Sequence, residues 1–320
     1  LVAPHERGAA LLTVLLLVAV MATVSATALD RLTLATRVAG NAQTVSQARH
    51  WLGMAEQLTA VRLEDMLAAG PDRTVGGAWQ GAPRQVRLPD GATLTMRVVD
   101  GGNCFNLNSL VARTGEGLEI VRPAAVEQFT ALMTSLGVDP TQATRIAAAA
   151  TDWVDSDSMP VPAGVEDGQG TMVANRPMAD ESELGRVSGV TPEIAAMLRP
   201  WVCALPSHDP SPVNVNTLLP EQAPLLAMLL PGKLTADRAR AALAERPAGG
   251  FASAEQFWRS PALSDLKVAG EAATQVSVRS AFFRLDASVR KDGLSLGQTA
   301  LLGERDGRVQ VLRRTWSNGT

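Results

Sequence analysis

Five carboxylates lie within sixteen residues near the middle of this 320-residue chain. They are Asp152, Asp155, Asp157, Glu166 and Asp167, and prolines bend the loop between the two groups. Calcium takes about six to eight oxygen ligands, and a loop that folds back on a helix end supplies such oxygens. The spacing is not that of an EF-hand, because the glycine and the glutamate of that loop are misplaced. The residues therefore indicate a candidate cation site, with a solvated acidic loop as the alternative that charge patterning alone favours.

Other side chains that could do chemistry are scattered along the chain. The three histidines, His5, His50 and His208, lie apart, and no Cys/His cluster has the spacing of a zinc site. No serine or cysteine stands in a recognisable arrangement with a base. A net charge of −3 and the absence of tyrosine give no general attraction to nucleic acid. We therefore expect a protein that is not an enzyme, with no small-molecule substrate and no nucleic-acid partner.

The chain has two cysteines, Cys104 and Cys203. In an oxidising compartment they could form a disulfide, which chain-entropy arguments value at about 4–5 kcal/mol for a loop of this length. Both cysteines border the same candidate domain, which favours the bridge. Two separate buried thiols are the alternative.

Residues 9–29 form an apolar run without a charge, directly after the polar segment HERG at residues 5–8. As a helix the run would span about 31 Å, close to the thickness of a bilayer core. The residues leave three interpretations open: a secretory signal removed near the end of the run, an uncleaved anchor, or a leader cut after Gly8. In the last case Ala9 becomes the new amino terminus. Arg7 before the helix predicts a cytoplasmic N terminus and a periplasmic body.

Helical periodicity continues beyond the apolar run and predicts one helix from about residue 9 to residue 67, amphipathic in its second part. Residues 71–83 are rich in Gly and Pro and indicate a loop. Strand alternation follows, with a hairpin turn at Pro89-Asp90-Gly91. The predicted strands are residues 85–88, 93–99, 275–286, 288–292 and 308–316.

A short motif occurs twice in the chain: FNLNSL at residues 105–110 returns as VNVNTL at residues 213–218, a shift of 108 positions. Each copy leads into two helical stretches joined by a short turn. These are residues 127–137 with 141–154, and residues 220–230 with 235–245. A duplicated helical unit is the simplest explanation, and one asparagine in each copy could cap a helix.

Residues 213–263 resemble a helix-hairpin-helix unit, and residues 183–198 resemble half of one. In DNA-binding versions, hairpin glycines let backbone N–H groups approach a phosphate. Here Lys233 follows Gly232 in place of the second glycine, and acidic residues surround it. A protein-interaction module is therefore favoured. A membrane-anchored DNA-binding protein of the competence type is the alternative function.

These features together resemble one family, the minor pseudopilin K of the bacterial type II secretion system. The matching segments are residues 6–8 with the apolar run, 103–108, 150–157, 164–167, 175–178, 182–184 with Val187 and Gly189, and 213–218. They follow in order over nearly the whole chain. The leader cut at Gly8 is the interpretation of the N terminus that the resemblance favours.

The resemblance implies an α+β fold. It is a pilin-like long N-terminal transmembrane helix packed on an antiparallel sheet, with a large all-helical domain (helix-hairpin-helix or SAM-like) inserted. The implied parts are a leader at residues 1–8, a transmembrane helix at 9–29 continuing to about 67, a pilin-like β domain at 70–103 and 275–320, a helical insertion with the acidic loop at 104–212, and a second helix-hairpin-helix-like unit at 213–274.

The resemblance also implies structural calcium at the acidic loop, with Asp152, Asp155, Asp157, Glu166 and Asp167 as the candidate ligands. The segment Ser182-Glu183 is expected to add an oxygen. This chain departs from the family in having GQGT at residues 168–171, where an aromatic residue is common. The loop is also short, so one of two metal positions is expected to be weak or absent.

Thr13 stands at the fifth position after the expected cut, where shaft-forming pseudopilins have glutamate. That glutamate neutralises a neighbouring amino terminus, since an unpaired carboxylate in lipid costs several kcal/mol. A subunit without it fits the tip of the filament. The resemblance implies cleavage by the prepilin peptidase and assembly with the minor pseudopilins I and J, with H as a further candidate, and with the major pseudopilin. The expected location is the inner membrane of a Gram-negative bacterium.

Overall fold

A computed structural model describes residues 4–69, 80–115, 119–157, 159–164 and 173–318. Its helices are α1 Pro4–Ala68, α2 Pro123–Ser135, α3 Pro140–Val154, α4 Pro192–Leu198, α5 Pro224–Ala227, α6 Ala236–Ala244, α7 Ala254–Trp258 and α8 Glu271–Gln275. Its strands are β1 Arg84–Arg87, β2 Thr93–Asp100, β3 Phe105–Asn106, β4 Val111–Arg113, β5 Glu119–Val121, β6 Val202–Cys203, β7 Val213–Asn214, β8 Val276–Ser277, β9 Phe282–Lys291, β10 Leu294–Arg305 and β11 Arg308–Asn318.

Helix α1 changes character along its length. Residues 11–43 are exposed throughout, which includes the described part of the apolar run. From Ala48 onward one face becomes buried at helical spacing, with Leu52, Ala55 and Leu63 almost fully covered. The second part of the helix packs on the sheet, as the amphipathic pattern predicts, although Leu58 on that pattern is exposed.

Five antiparallel strands form the sheet in the order β1-β2-β9-β10-β11. The chain therefore leaves the sheet after β2 and returns at β9, and everything between is an insertion. Phe283, Leu285 and Val289 of β9 lie on the face that packs against α1. The α+β architecture with a pilin-like helix on an antiparallel sheet is the one expected from the sequence.

Two strand predictions are wrong. Residues 275–281 do not belong to a long strand, because 276–277 form β8 in the insertion, and β9 runs without interruption from 282 to 291. Strand β10 was not predicted at all. It pairs with β9 without a register shift, and the extra residue of the bulge between β10 and β11 is Leu312 of β11. Ala300 and Leu302 of β10 face α1 while Leu301 is buried on the other face, so the sequence there lacks simple alternation.

The insertion has its own hydrophobic core, separate from the core between α1 and the sheet. It is mostly helical and also contains three short strand pairs, β3-β6, β4-β5 and β7-β8. In the second unit, the expected helix over 220–230 is divided into a 3-10 turn at Pro220–Gln222 and the short α5. Prolines at the starts of both pieces explain the division.

Candidate functional site: the acidic loop and the junction of the insertion

The acidic loop begins at the buried end of α3. Asp139 caps the start of this helix by accepting hydrogen bonds from the N–H groups of Thr141 and Gln142. At the other end, Asp152 is fully buried and Asp155 is 4% exposed. Burying two carboxylates within one helical turn is costly unless positive charge or hydrogen-bond donors face them. The end of α3 is therefore the part of the loop best suited to a cation.

The loop main chain folds back onto Asp152. The N–H of Val161 donates to Oδ1 of Asp152 at 2.9 Å. At Gly164 the backbone comes so close that a Cβ there would lie 1.9 Å from Oδ2 of Asp152. Only glycine fits at this position without a shift of the loop or the carboxylate. The glycine of the GVED motif thus has a packing reason that the sequence alone did not reveal.

Residues 173–183 lie against the same helix end. The side-chain amide of Asn175 donates to the carbonyl of Asp157 at 3.1 Å, and the N–H of Arg176 donates to the carbonyl of Trp153 at 3.3 Å. Glu183 accepts from the N–H of Ala179 and pairs with Arg176. Oε2 of Glu183 lies 3.1 Å from Nη2 of Arg176 and accepts no hydrogen bond within the described residues, so the expected metal oxygen from Ser182-Glu183 stays a prediction.

The five predicted ligands are not all placed by the structure. Asp152 and Asp155 share the buried helix end, whereas Asp157 is exposed and its Oδ1 accepts from the N–H of Met159 at 2.7 Å. Glu166 and Asp167 lie outside the described residues. Among the residues that the structure describes, no group of three or more His, Cys, Asp or Glu side chains could hold a metal ion. The donor chemistry fits calcium, and the complete ligand set remains a prediction.

The repeated asparagines hold loops in place inside the insertion. The side chain of Asn108 accepts from the N–H of Met178 and donates to the carbonyls of Met178 and Leu205. In the second unit, Asn216 accepts from the N–H of Phe251 and donates to the carbonyls of Phe251 and Val278. The two copies thus perform the same task in two equivalent units.

The first asparagine of each motif also has an equivalent role. Asn106 Oδ1 accepts from the N–H of Asn108, and Asn214 Oδ1 accepts from the N–H of Asn216. Asn106 is thereby the N-cap of the 3-10 turn Leu107–Leu110, as the sequence suggested, whereas Asn214 holds a turn at residues 215–217 that is not helical. The motif also opens a parallel strand pair each time, β3 with β6 and β7 with β8. Sequence reasoning found the duplication but missed the contacts of the second asparagine, because its partners lie far along the chain.

Asp100 joins the sheet to the insertion, and sequence reasoning missed it. Its carboxylate accepts from the hydroxyls of Ser280 and Thr217, the Asn214 amide and the Gly102 N–H. Burial raises the pKa of Asp100, although these hydrogen bonds act to lower it. Through these hydrogen bonds Asp100 connects the end of β2 to the second asparagine motif and to the segment just before β9.

Cys104 and Cys203 form a disulfide, with their Cα atoms 5.8 Å apart. The bridge connects the start of the insertion to β6, next to the pairing of β3 and β6. It closes the first unit at its base, close to Asp100.

The residues of the expected processing site lie in α1. The backbone of Gly8 and Ala9 is helical, and Thr13 is exposed on the same helix. In the described part of the chain, one helix is long and apolar enough to cross a membrane. A signal sequence would satisfy the same criterion, so the helix is compatible with membrane anchoring and does not by itself establish it.

A long, largely exposed N-terminal helix on an antiparallel sheet defines a pilin-like protein, and the large insertion between the second and third strands of the sheet defines an unusual member of that class. A family model described as "Type II secretion system (T2SS), protein K" matches residues 103–207, and another with the same description matches residues 213–279. The chain belongs to the type II secretion system protein K family.

Full-length relatives support this assignment. The chain is 32% identical to type II secretion system protein K of Klebsiella pneumoniae, over 98% of this chain and 97% of the relative. It is 34% identical to protein K of Aeromonas hydrophila, with 97% of each covered. Among solved structures, a chain from the GspK-GspI-GspJ complex of enterotoxigenic Escherichia coli matches with a TM-score of 0.70 and 29% identity. That match covers 86% of this chain and 99% of the other.

Proposed function

We propose that this chain is the minor pseudopilin that initiates or caps the pseudopilus, at the tip of the filament. Its family and fold supply the pseudopilin role. The observation that carries the tip assignment is the position of the insertion, which adds a second domain between β2 and β9 of the pilin-like sheet. A subunit stacked above this domain would have to avoid it. An exposed and uncharged Thr13 agrees with a subunit that has no neighbour's amino terminus to neutralise.

The proposed partners follow from the relative in Escherichia coli, which was solved in a complex with GspI and GspJ. We propose that this chain assembles with the corresponding I and J subunits, and with H as a further candidate, at the end of a filament of major pseudopilin. The exposed, uncharged part of α1 over residues 11–29 offers an apolar surface for neighbouring helices. Before assembly, α1 anchors the chain in the inner membrane with a periplasmic body, and the prepilin peptidase removes residues 1–8.

Calcium is part of this proposal as a structural ion. Asp152 and Asp155 would hold it at the end of α3, with Asp157, Glu166 and Asp167 as the further candidates. Bound there, the ion would neutralise two buried carboxylates and fasten the acidic loop to the helix. It would shape the insertion and take no part in a reaction.

The number of copies in a filament tests the tip assignment. Sheared pseudopili of different lengths should contain a constant number of copies of this chain, whereas the major pseudopilin increases with length. A copy number proportional to length would exclude a tip position. The mass of the mature chain tests processing separately: a start at Ala9 that disappears without the prepilin peptidase is expected. A start near the end of the apolar run would contradict entry into a filament.

A further inference from the structure

A cleft of about 270 Å³ lies between the sheet and the insertion, on the sheet face opposite α1. Strands β2, β9, β10 and β11 form one wall. The other wall comes from the insertion and includes the Cys104–Cys203 bridge and Pro200. Arg313 of β11 joins the two walls through its hydrogen bonds to Ala179, Ala204 and Glu181 of the insertion.

Four arginines line this cleft: Arg97, Arg199, Arg284 and Arg313. We call it the arginine cleft. They come from three strands and from the end of α4, so the chain brings them together only in the folded state. Guanidinium groups bind carboxylates and phosphates through paired hydrogen bonds, so a convergence of several is a feature of oxyanion sites.

Two of the four arginines already have partners. Arg313 donates to Glu181 at 2.7 Å and to the carbonyls of Ala179 and Ala204 at 2.7 and 3.1 Å. Arg284 donates through Nε to Asp286 at 3.2 Å. These bonds fix the two guanidinium groups at the edges of the cleft.

The other two arginines have no such partner. Within the described part of the chain, neither Arg97 nor Arg199 has an acceptor at hydrogen-bonding distance. Arg97 lies opposite Asp286 in the register of β2 and β9, but Asp286 already accepts from Arg284 and from Thr299. Arg199 only contributes a charge near Asp180, beyond ion-pair distance. Both guanidinium groups are exposed and available to a ligand.

Two carboxylates, Asp100 and Glu181, also line the cleft, and neither satisfies these arginines. Asp100 already accepts hydrogen bonds from the hydroxyls of Ser280 and Thr217 and from the Asn214 amide. Glu181 is bound to Arg313. Arg284 pairs with Asp286 and Arg313 with Glu181, so Arg97 and Arg199 are the two lining guanidinium groups without a hydrogen-bonded carboxylate among the residues that the structure describes. Anions are therefore favoured there over neutral or cationic ligands.

We infer that the arginine cleft binds an oxyanion, a carboxylate or phosphate group, held by Arg97 and Arg199. The group could belong to a small anion in solution or to an acidic side chain of an I- or J-type subunit. The chemistry of recognition is the same for both. This inference does not require a tip position for the chain.

The full-length chain in detergent micelles is titrated with inorganic phosphate and, separately, with citrate. These titrations test whether the cleft binds a free anion. The ionic strength is held constant, because salt screens exposed charges. The test variant is R97Q/R199Q, and the matched control is R186Q/R290Q, which removes two exposed arginines outside the cleft. In a second arm, the affinity of each variant for the purified I- and J-type subunits is measured.

Phosphate or citrate binding that is weakened about tenfold or more in R97Q/R199Q, but not in the control, supports a free anion as ligand. Absence of anion binding, together with a similar selective loss of affinity for the I or J subunit, supports an acidic side chain of the partner. If R97Q/R199Q behaves like the control in both arms, the inference is overturned. Equal thermal unfolding of both variants shows that any loss is not a folding defect.

Discussion

Glu56 of α1 accepts two hydrogen bonds from the guanidinium of Arg314 in β11, with Nε to Oε2 at 2.8 Å and Nη2 to Oε1 at 2.5 Å. The side-chain amide of Gln298 in β10 donates to the same carboxylate. Glu56 is 5% exposed, and its hydrogen bond raises the pKa of Arg314. This network fastens the second part of α1 to two strands of the sheet at a polar point within an apolar interface.

Replacement of Glu56 by alanine should therefore loosen the helix from the sheet. The substitution leaves Arg314 and Gln298 without their shared acceptor, but Arg314 is 43% exposed and water can solvate it in part. We expect a loss of about 1–3 kcal/mol in the free energy of unfolding. Denaturant unfolding of the full-length chain in micelles measures this. Asp65→Asn, an exposed change on the same helix, is the control, and equal stability of the two variants would contradict a structural role for the pair.

The second asparagine of each repeated motif should stabilise the unit of the insertion in which it lies. Asn108→Ala and Asn216→Ala each remove three hydrogen bonds from a buried site, which should cost about 2–4 kcal/mol. Limited proteolysis should cut N108A first within residues 103–207 and N216A first within residues 213–279. Asn41→Ala on the exposed part of α1 should leave both patterns unchanged. Cleavage of both units at the same rate in either variant would show that they do not open separately.

Much of this architecture follows from local sequence patterns. The amphipathic part of α1, the β1–β2 hairpin and the duplicated motif all rest on periodicity or on turn residues close in the chain. Strand β10 was not predicted because both of its faces are covered at residues 300–302, so apolar and polar residues do not alternate there. The structural roles of Asp100 and Glu56 were not predicted, for a different reason. Their side-chain partners lie more than a hundred residues away, and neither position differs in pattern from an ordinary surface carboxylate.

The candidate calcium site, too, could be predicted from the sequence only in part. The cluster of acidic residues is visible in the sequence, and so is its similarity to the family. Only the structure shows that Asp152 and Asp155 are buried while Asp157 is exposed, and that Glu183 is paired with Arg176. Burial depends on how residues 173–183 pack on the end of α3, which no local pattern encodes.

Removal of the disulfide should destabilise the insertion. The bridge closes a separation of 99 residues, for which the chain-entropy model gives about 4–5 kcal/mol. C104S/C203S should unfold at lower denaturant concentration than the parent, and a reductant should shift the parent towards the variant. The variant itself should not respond to the reductant. A parent that is also insensitive to complete reduction would show that the folded packing, not the bridge, determines stability.

The stability of the chain in acid should depend on Asp180. Burial acts to raise the pKa of this carboxyl, but hydrogen bonds from Ser182 and the charges of Arg313 and Arg199 lower it below 3.8 overall. A lowered folded pKa means that the carboxylate contributes stability above 3.8, which is lost as the pH falls through the folded value.

The unfolding free energy of Asp180→Asn, measured above and below pH 3.8, tests the direction of this pH dependence. Asparagine can still cap the turn at Glu181–Arg186, so the substitution removes mainly the charge. The variant should be less stable than the parent above 3.8, and the difference should shrink in stronger acid. The exposed Asp209→Asn should show no such convergence. A difference that grows as the pH falls would reverse the assigned direction.

Substitution of Gly164 tests whether the acidic loop binds calcium. An alanine Cβ at this position would lie 1.9 Å from Oδ2 of Asp152, so the loop or the carboxylate must move. If Asp152 and Asp155 hold calcium, G164A should weaken binding about tenfold or more, and D152N should weaken it further because a charged ligand is lost. Isothermal titration calorimetry with calcium measures the affinity of both variants.

The matched control is Gly185→Ala in the same unit, where an added Cβ meets only the Cβ of Ala195, at 3.9 Å. G185A should bind calcium as the parent does, and chelation with EDTA should lower the thermal stability of the parent and of G185A alike. D152N should unfold at the same temperature with or without EDTA. Unaltered calcium affinity in both G164A and D152N would place the ion elsewhere or show that this chain does not use one.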